Sequence, residues 1–361
     1  MQNLVNETPA KKNYNFIDAI RCLAIISIVM EHCFAFDSYT YHPADKLSIL
    51  TYAAVMQFIK FGTIAFFLLA GFLIGEKFTV YSPVQYLKRR IDNTIAPWLF
   101  WSLLFCVMIV LNDVICACKF NTGKITPHYG FVVLDYLKTI YLYTSFWFIP
   151  NFLICIAILL VFKRYLYSYW LGGALFLFTL LYTVNIYYEW IEPKHSTAIF
   201  GFVFFLWLGV QFNHHLKSIE LWLKKTPILL WVALSAITLV LGMNETFLLE
   251  KLHSADPYNS LRPSNILYSM SFFFLLLKIK DFNFISFLKP RETTYGIYLI
   301  HYILVSLLLP MIFLTSRFGV GHFSYGKFWL YLIVRFTIVY AITFTLVTLI
   351  NKTRARWIIG R

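Results

Sequence analysis

Apolar runs of about membrane-crossing length recur along the chain, separated by short polar stretches that hold most of the basic residues. Read this way, the sequence has ten spans, at roughly residues 17–36, 50–74, 94–112, 144–162, 167–186, 197–213, 226–243, 263–277, 293–314 and 328–350. Nothing long and polar enough to form a separate soluble domain remains between them. The expected fold class is therefore all-α, a polytopic membrane protein of about ten transmembrane helices in one domain over residues 1–361.

The first span departs from the pattern. Asp18, Arg21, Glu31 and His32 lie within or at the ends of Asp18-Ala-Ile-Arg-Cys-Leu-Ala-Ile-Ile-Ser-Ile-Val-Met-Glu-His32, where ionisable side chains are costly and by default functional. On a helix, the step from Arg21 to His32 is about three turns plus roughly 20°, which puts both on one face about 16 Å apart. Asp18, Arg21, Ile25, Ile28 and His32 form that stripe. The same charges, and the absence of a small-residue cleavage pattern, make this a retained helix and not a cleaved signal.

Composition supports a lipid environment. Hydrophobic residues make up 60% of the chain and charged ones 13%, too little polar surface for a soluble globule of 361 residues. The net charge of +14 is spread between the spans and forms no basic stripe with interleaved aromatics, so nucleic acid is not an expected partner. With the N-terminus inside, nineteen of the thirty-one Lys and Arg residues fall on that side, which predicts that both termini are cytoplasmic. Cys22, Cys33, Cys106, Cys116, Cys118 and Cys155 sit in or beside apolar runs and suggest neither a disulfide framework nor a metal site. Asn121–His128 reads as a loop.

His32 is suited to act as a general base on an alcohol. Arg21 can pair with Asp18 three residues earlier and can bind an anion through its fork of donors. Lys60, Arg335 and Glu31 read as buried charges that compensate one another, and His301 as a packing or hydrogen-bonding group. Lys88-Arg-Arg-Ile-Asp-Asn-Thr-Ile-Ala-Pro-Trp98, the densest basic run, reads as an inner loop.

Asp18-Ala-Ile-Arg21 followed by ten residues and His32 resembles the first-helix pattern of the integral membrane acyltransferase 3 family, bacterial enzymes that O-acylate cell-surface glycans. Phe66-Phe-Leu-Leu-Ala-Gly-Phe-Leu-Ile74 is similar to that family's second-helix signature. Phe146-Trp-Phe-Ile-Pro150, Phe205-Leu-Trp-Leu-Gly209 and Tyr295-Gly-Ile-Tyr-Leu-Ile-His301 resemble its later landmarks. Two positions depart from the family pattern: Ala70 stands where serine is usual, and Thr94 where an arginine is often found.

The resemblance implies a multi-pass enzyme of the bacterial cytoplasmic membrane. It would transfer an acyl group, commonly acetyl, from cytoplasmic acyl-CoA to a hydroxyl of a glycan or lipid-linked saccharide. His32, Arg21 and Asp18 are then the expected catalytic group, Arg21 and Arg90 the donor-binding pair, and no metal is expected. The rival reading is a secondary transporter or lipid-linked glycan flippase with a proton or substrate relay in the first helix. Paired Gly/Pro interruptions and recurring halves, which mark many such transporters, are not evident.

Overall fold

Helices follow the apolar runs in the computed structural model, which describes residues 14–35, 45–77, 82–120, 129–280, 282–313 and 323–361. The first half contains α1 (Asn15–Phe34), α2 (Lys46–Ile59), α3 (Gly62–Lys77), α4 (Pro83–Phe120), α5 (Tyr129–Tyr143), α6 (Phe148–Val161) and α7 (Tyr169–Tyr188). The second contains α8 (Ile199–His214), α9 (Leu216–Lys225), α10 (Ile228–Lys251), α11 (Pro263–Ile279) and α12 (Pro290–Ile303). A π-helical stretch, Leu304–Leu308, leads into the short α13 (Leu309–Ile312), and α14 (Tyr325–Asn351) completes the set. The described residues contain no strand.

Among the described residues, six helical segments are long and apolar enough to cross a membrane, and eight if each of two bent helix pairs is one span. One pair, Gly130–Tyr143 with Ser145–Val161, bends by 70°, and the other, Ile199–His214 with Leu216–Lys225, bends by 82°. Of the ten expected spans, α1 falls outside this set because of Asp18, Arg21 and Glu31, and α11 because it has only 17 residues. The expected second span is found as Lys46–Lys77, with α2 and α3 joined within it by a turn at Lys60 and Phe61.

The basic run Lys88–Trp98 is not a loop. It is the opening part of α4, which continues through Pro97. Residues 85–91 are mostly good helix formers, so the charged run extends the apolar helix instead of interrupting it. Pro97 has no N–H and leaves the Asn93 carbonyl without its helical donor. The loop expected over Asn121–His128 lies outside the described residues.

Two hydrophobic cores meet at α1. One gathers Phe67, Leu68 and Phe72 of α3, Phe202 and Phe205 of α8 and Ile156 of α6 around Ile17, Ile20 and Ala24. The other gathers Trp101 and Phe105 of α4, Ile297 and Ile300 of α12 and Phe328 and Leu332 of α14 around Ile25, Val29 and Cys33. By contrast α4, α7, α10 and α14 present exposed apolar side chains such as Leu103, Leu177, Leu229 and Leu330, as lipid-facing helices do. The helix that carries the charges is thus shielded from lipid.

Two of the sequence landmarks pack directly on one another. A Cβ added to Gly71 of α3 would collide with the Leu206 carbonyl, and one added to Gly209 of α8 with the Leu68 carbonyl. Small residues allow this backbone-to-backbone approach, a common way for membrane helices to associate. The packing fixes α3, and with it one wall of the central cavity.

Candidate active site

Between the two cores lies a cavity of about 520 Å³, and Arg21, Ile28 and His32 all line it. The 3.6-residue winding of α1 therefore does bring its guanidinium and imidazole to a common interior space. Arg90, Arg291 and Gly360 also line the cavity, and the charges of Arg90 and Arg291 act on Arg21, so this end is strongly positive. His195 and Ser260, from the α7–α8 and α10–α11 connections, line it too, and the charge of His195 acts on His32.

Arg21 is held by a single carboxylate. Its Nη1 donates to Asp18 Oδ1 at 3.2 Å, and the other oxygen of Asp18 accepts from Arg291 Nε at 2.6 Å. Asp18 does not itself line the large cavity; it borders a neighbouring one of about 360 Å³ with Lys280, Lys289 and Arg291. Its place is that of a clamp between two arginines. Arg90 is fixed from its own helix, donating through Nε to Tyr86 Oη at 2.8 Å with the guanidinium 5.3 Å from that ring's centroid.

His32 stands edge-on to Tyr302, with ring centroids 5.0 Å apart, and 5.3 Å from the ring of His301. The imidazole of His32, on the cavity wall, makes no hydrogen bond among the described residues. His301 is fully buried, and its Nδ1 lies 3.0 Å from the Ile297 carbonyl and 2.8 Å from that of Tyr298. Carbonyls only accept, so Nδ1 carries the proton, and Nε2 is left as an acceptor without a partner. His301 thus packs directly beside His32.

The remaining buried charges sort themselves. Glu31 pairs with Lys60, while Arg335 bonds the Cys33 carbonyl at 3.0 Å and Tyr331 Oη at 3.2 Å. Both departures from the family pattern, Ala70 and Thr94, line the cavity. So does Ser145, whose buried hydroxyl has no hydrogen-bond partner among the described residues.

Several residues of this region carried no signal in the sequence. Ser260 Oγ lies 3.1 Å from His195 Nε2, and His195 Nδ1 is 3.8 Å from Asp256 Oδ2. The His195 ring stacks on Trp147 with centroids 5.2 Å apart. Burial holds the His195 imidazole below its ordinary pKa, and the Asp256 carboxylate partly opposes that shift. Arg262, immediately before α11, has no exposed surface. It donates to Gln57 Oε1 at 2.6 Å, to the Gly242 carbonyl at 3.0 Å, to the Asn259 carbonyl at 3.2 Å and to Thr246.

No curated protein and no solved structure matches the chain. The model of one family, described as an acyltransferase domain, matches residues 14–352. With the match running through every helix from α1 to α14, this multi-pass membrane protein belongs to the acyltransferase 3 family.

Proposed function

We propose that the protein transfers an acyl group, acetyl in the simplest case, from cytoplasmic acyl-CoA to a hydroxyl of a glycan at the outer face of a bacterial cytoplasmic membrane. The observation that carries this reading is that one cavity is lined by Arg21, Arg90 and Arg291, by His32, and by His195 and Ser260 of the α7–α8 and α10–α11 connections. Guanidinium groups suit the phosphates of a CoA donor, through charge and paired donors. The distribution of basic residues argues for ten spans, with the termini and the arginine end of the cavity on the cytoplasmic side.

The chemistry follows from the side chains. A sugar hydroxyl is a weak nucleophile until it loses its proton, and the unpartnered imidazole of His32 is suited to take it. The oxygen then attacks the acyl carbon, the bond from that carbon to its leaving group breaks, and the leaving group departs with the proton. The Ser145 hydroxyl is available to donate to the oxygen that becomes negative in between.

The test is mass spectrometry of surface glycans from cells with and without the gene. A gain of one C2H2O unit per modified sugar, dependent on the gene, is the expected result. Altered glycan abundance with no change in mass would overturn the reading in favour of export.

A further inference from the structure

We infer that Ser260 carries the acyl group between donor and acceptor, with His195 as its base and Asp256 orienting that base. The inference rests on the acyl-transfer reading and divides it into two steps. Its geometric basis is a serine, an imidazole and a carboxylate in series, two of them on the wall of the cavity that also holds His32.

The contacts suit a nucleophile and base. The Ser260 N–H donates to His195 Nε2 at 3.4 Å, which makes that nitrogen the acceptor, and the Ser260 hydroxyl lies 3.1 Å from it, within the range found for activated serines. The proton of the neutral ring then resides on Nδ1, which faces Asp256 at 3.8 Å, beyond a direct hydrogen bond but close enough for the carboxylate to favour that orientation. Asp256 is itself held by Asn259 Nδ2 at 3.0 Å. The ring is kept in place by Trp147, and Asn151 Nδ2 donates to the His195 carbonyl at 3.2 Å.

Ser260 is fixed with equal care from the other side. Its carbonyl accepts from Asn265 Nδ2 at 2.8 Å, Asn265 Oδ1 accepts from Gln57 Nε2 at 3.0 Å, and Gln57 Oε1 accepts from Arg262 at 2.6 Å. These bonds pin the backbone at position 260 and leave the hydroxyl to His195 alone. The hydroxyl ends on a cavity wall against an imidazole whose burial disfavours the protonated form.

The steps balance. In the first, Ser260 Oγ attacks the thioester carbon of acyl-CoA while its proton passes to His195 Nε2. The C–S bond breaks, and the thiolate leaves with that proton. In the second, His32 takes the proton of the acceptor hydroxyl, whose oxygen attacks the Ser260 ester. The bond between Ser260 Oγ and the acyl carbon then breaks, and the proton returns from His32 to Ser260.

The experiment uses the full-length protein in nanodiscs with radiolabelled acetyl-CoA, an acid quench and peptide mass spectrometry. Without acceptor, wild type should carry label on the peptide containing Ser260. The His32→Ala protein should keep that label when acceptor glycan is added, whereas wild type loses it. Ser260→Ala should carry none, and Ser260→Cys should carry a thioester that neutral hydroxylamine releases. Wild type that acylates glycan but never carries label on Ser260, or Ser260→Ala that transfers at the wild-type rate, would overturn the relay and leave the acyltransferase reading standing. Wild type that transfers nothing from acetyl-CoA to either serine or glycan would overturn both.

Discussion

Arg262 and Arg21 are both enclosed by helices, yet the protein satisfies one and leaves the other open. Arg262 has no exposed surface and spends its donors on two backbone carbonyls, Gln57 and Thr246. Arg21 keeps 21% of its side chain exposed, on the cavity wall, and bonds Asp18 alone among the described residues. A buried cation whose three nitrogens all bond protein partners is committed to holding structure together. One with donors facing an internal cavity can hold an anion as well.

The sharpest way to break this contrast is to remove each guanidinium. Arg262→Leu should cost about 3–5 kcal/mol of stability, because it strands Gln57 and the Gly242 carbonyl in the interior. Thermal unfolding of the detergent-solubilised protein reads that loss. Arg21→Leu should barely move the unfolding temperature but weaken acyl-CoA binding about 10- to 100-fold, the range for charge-assisted hydrogen bonds. Arg21→Lys should fall between wild type and Arg21→Leu, since it keeps the charge and loses the fork. Equal stability losses at both positions would erase the distinction.

A second contrast lies between the two ends of the cavity and is read by pH. His195 acts as a base only when neutral, and burial holds its pKa below the ordinary value of about 6.5. The acid limb of the acylation rate should therefore lie below that value. Of the charges around it, Asp256 and Glu31 favour the protonated ring and Lys60 disfavours it. Asp256→Asn removes a raising influence and should move the limb to still lower pH, whereas a limb that moves upward would contradict the assignment.

The smallest effect belongs to the donor end. Thr94→Arg restores the arginine often found in the family at a cavity-lining position. It should lower the KM for acyl-CoA by roughly 5-fold, the equivalent of about 1 kcal/mol. An unchanged KM would mean that the donor phosphates do not pass residue 94.

Much of the fold was legible because helical periodicity is a local signal. The stripe on α1 could be read from spacing alone, and the structure opens Arg21, Ile28 and His32 onto one cavity. What escaped depends on tertiary packing. The break at Lys60 has no proline or glycine run to announce it, since Gly62 follows in a stretch as apolar as any span. The Lys88–Trp98 run reads as a loop because its charges end the apolar pattern, yet residues 85–91 are mostly good helix formers and α4 continues through it. The burial of Arg262 has no local signal, because the polar Asp256-Pro-Tyr-Asn-Ser260 precedes it while its partners come from α2 and α10. Ser260 and His195 stand 65 residues apart, so no local pattern could bring them together.

The central claim is that His32 does chemistry in the cavity it shares with Arg21. The most direct measurement compares wild type and His32→Ala in nanodiscs, following acyl transfer from acetyl-CoA to glycan alongside acetyl-CoA binding. The account predicts that transfer falls by about 10²- to 10⁴-fold, as for loss of a general base, while donor binding stays within about 2-fold of wild type. Glycan acylation by His32→Ala at the wild-type rate would contradict it.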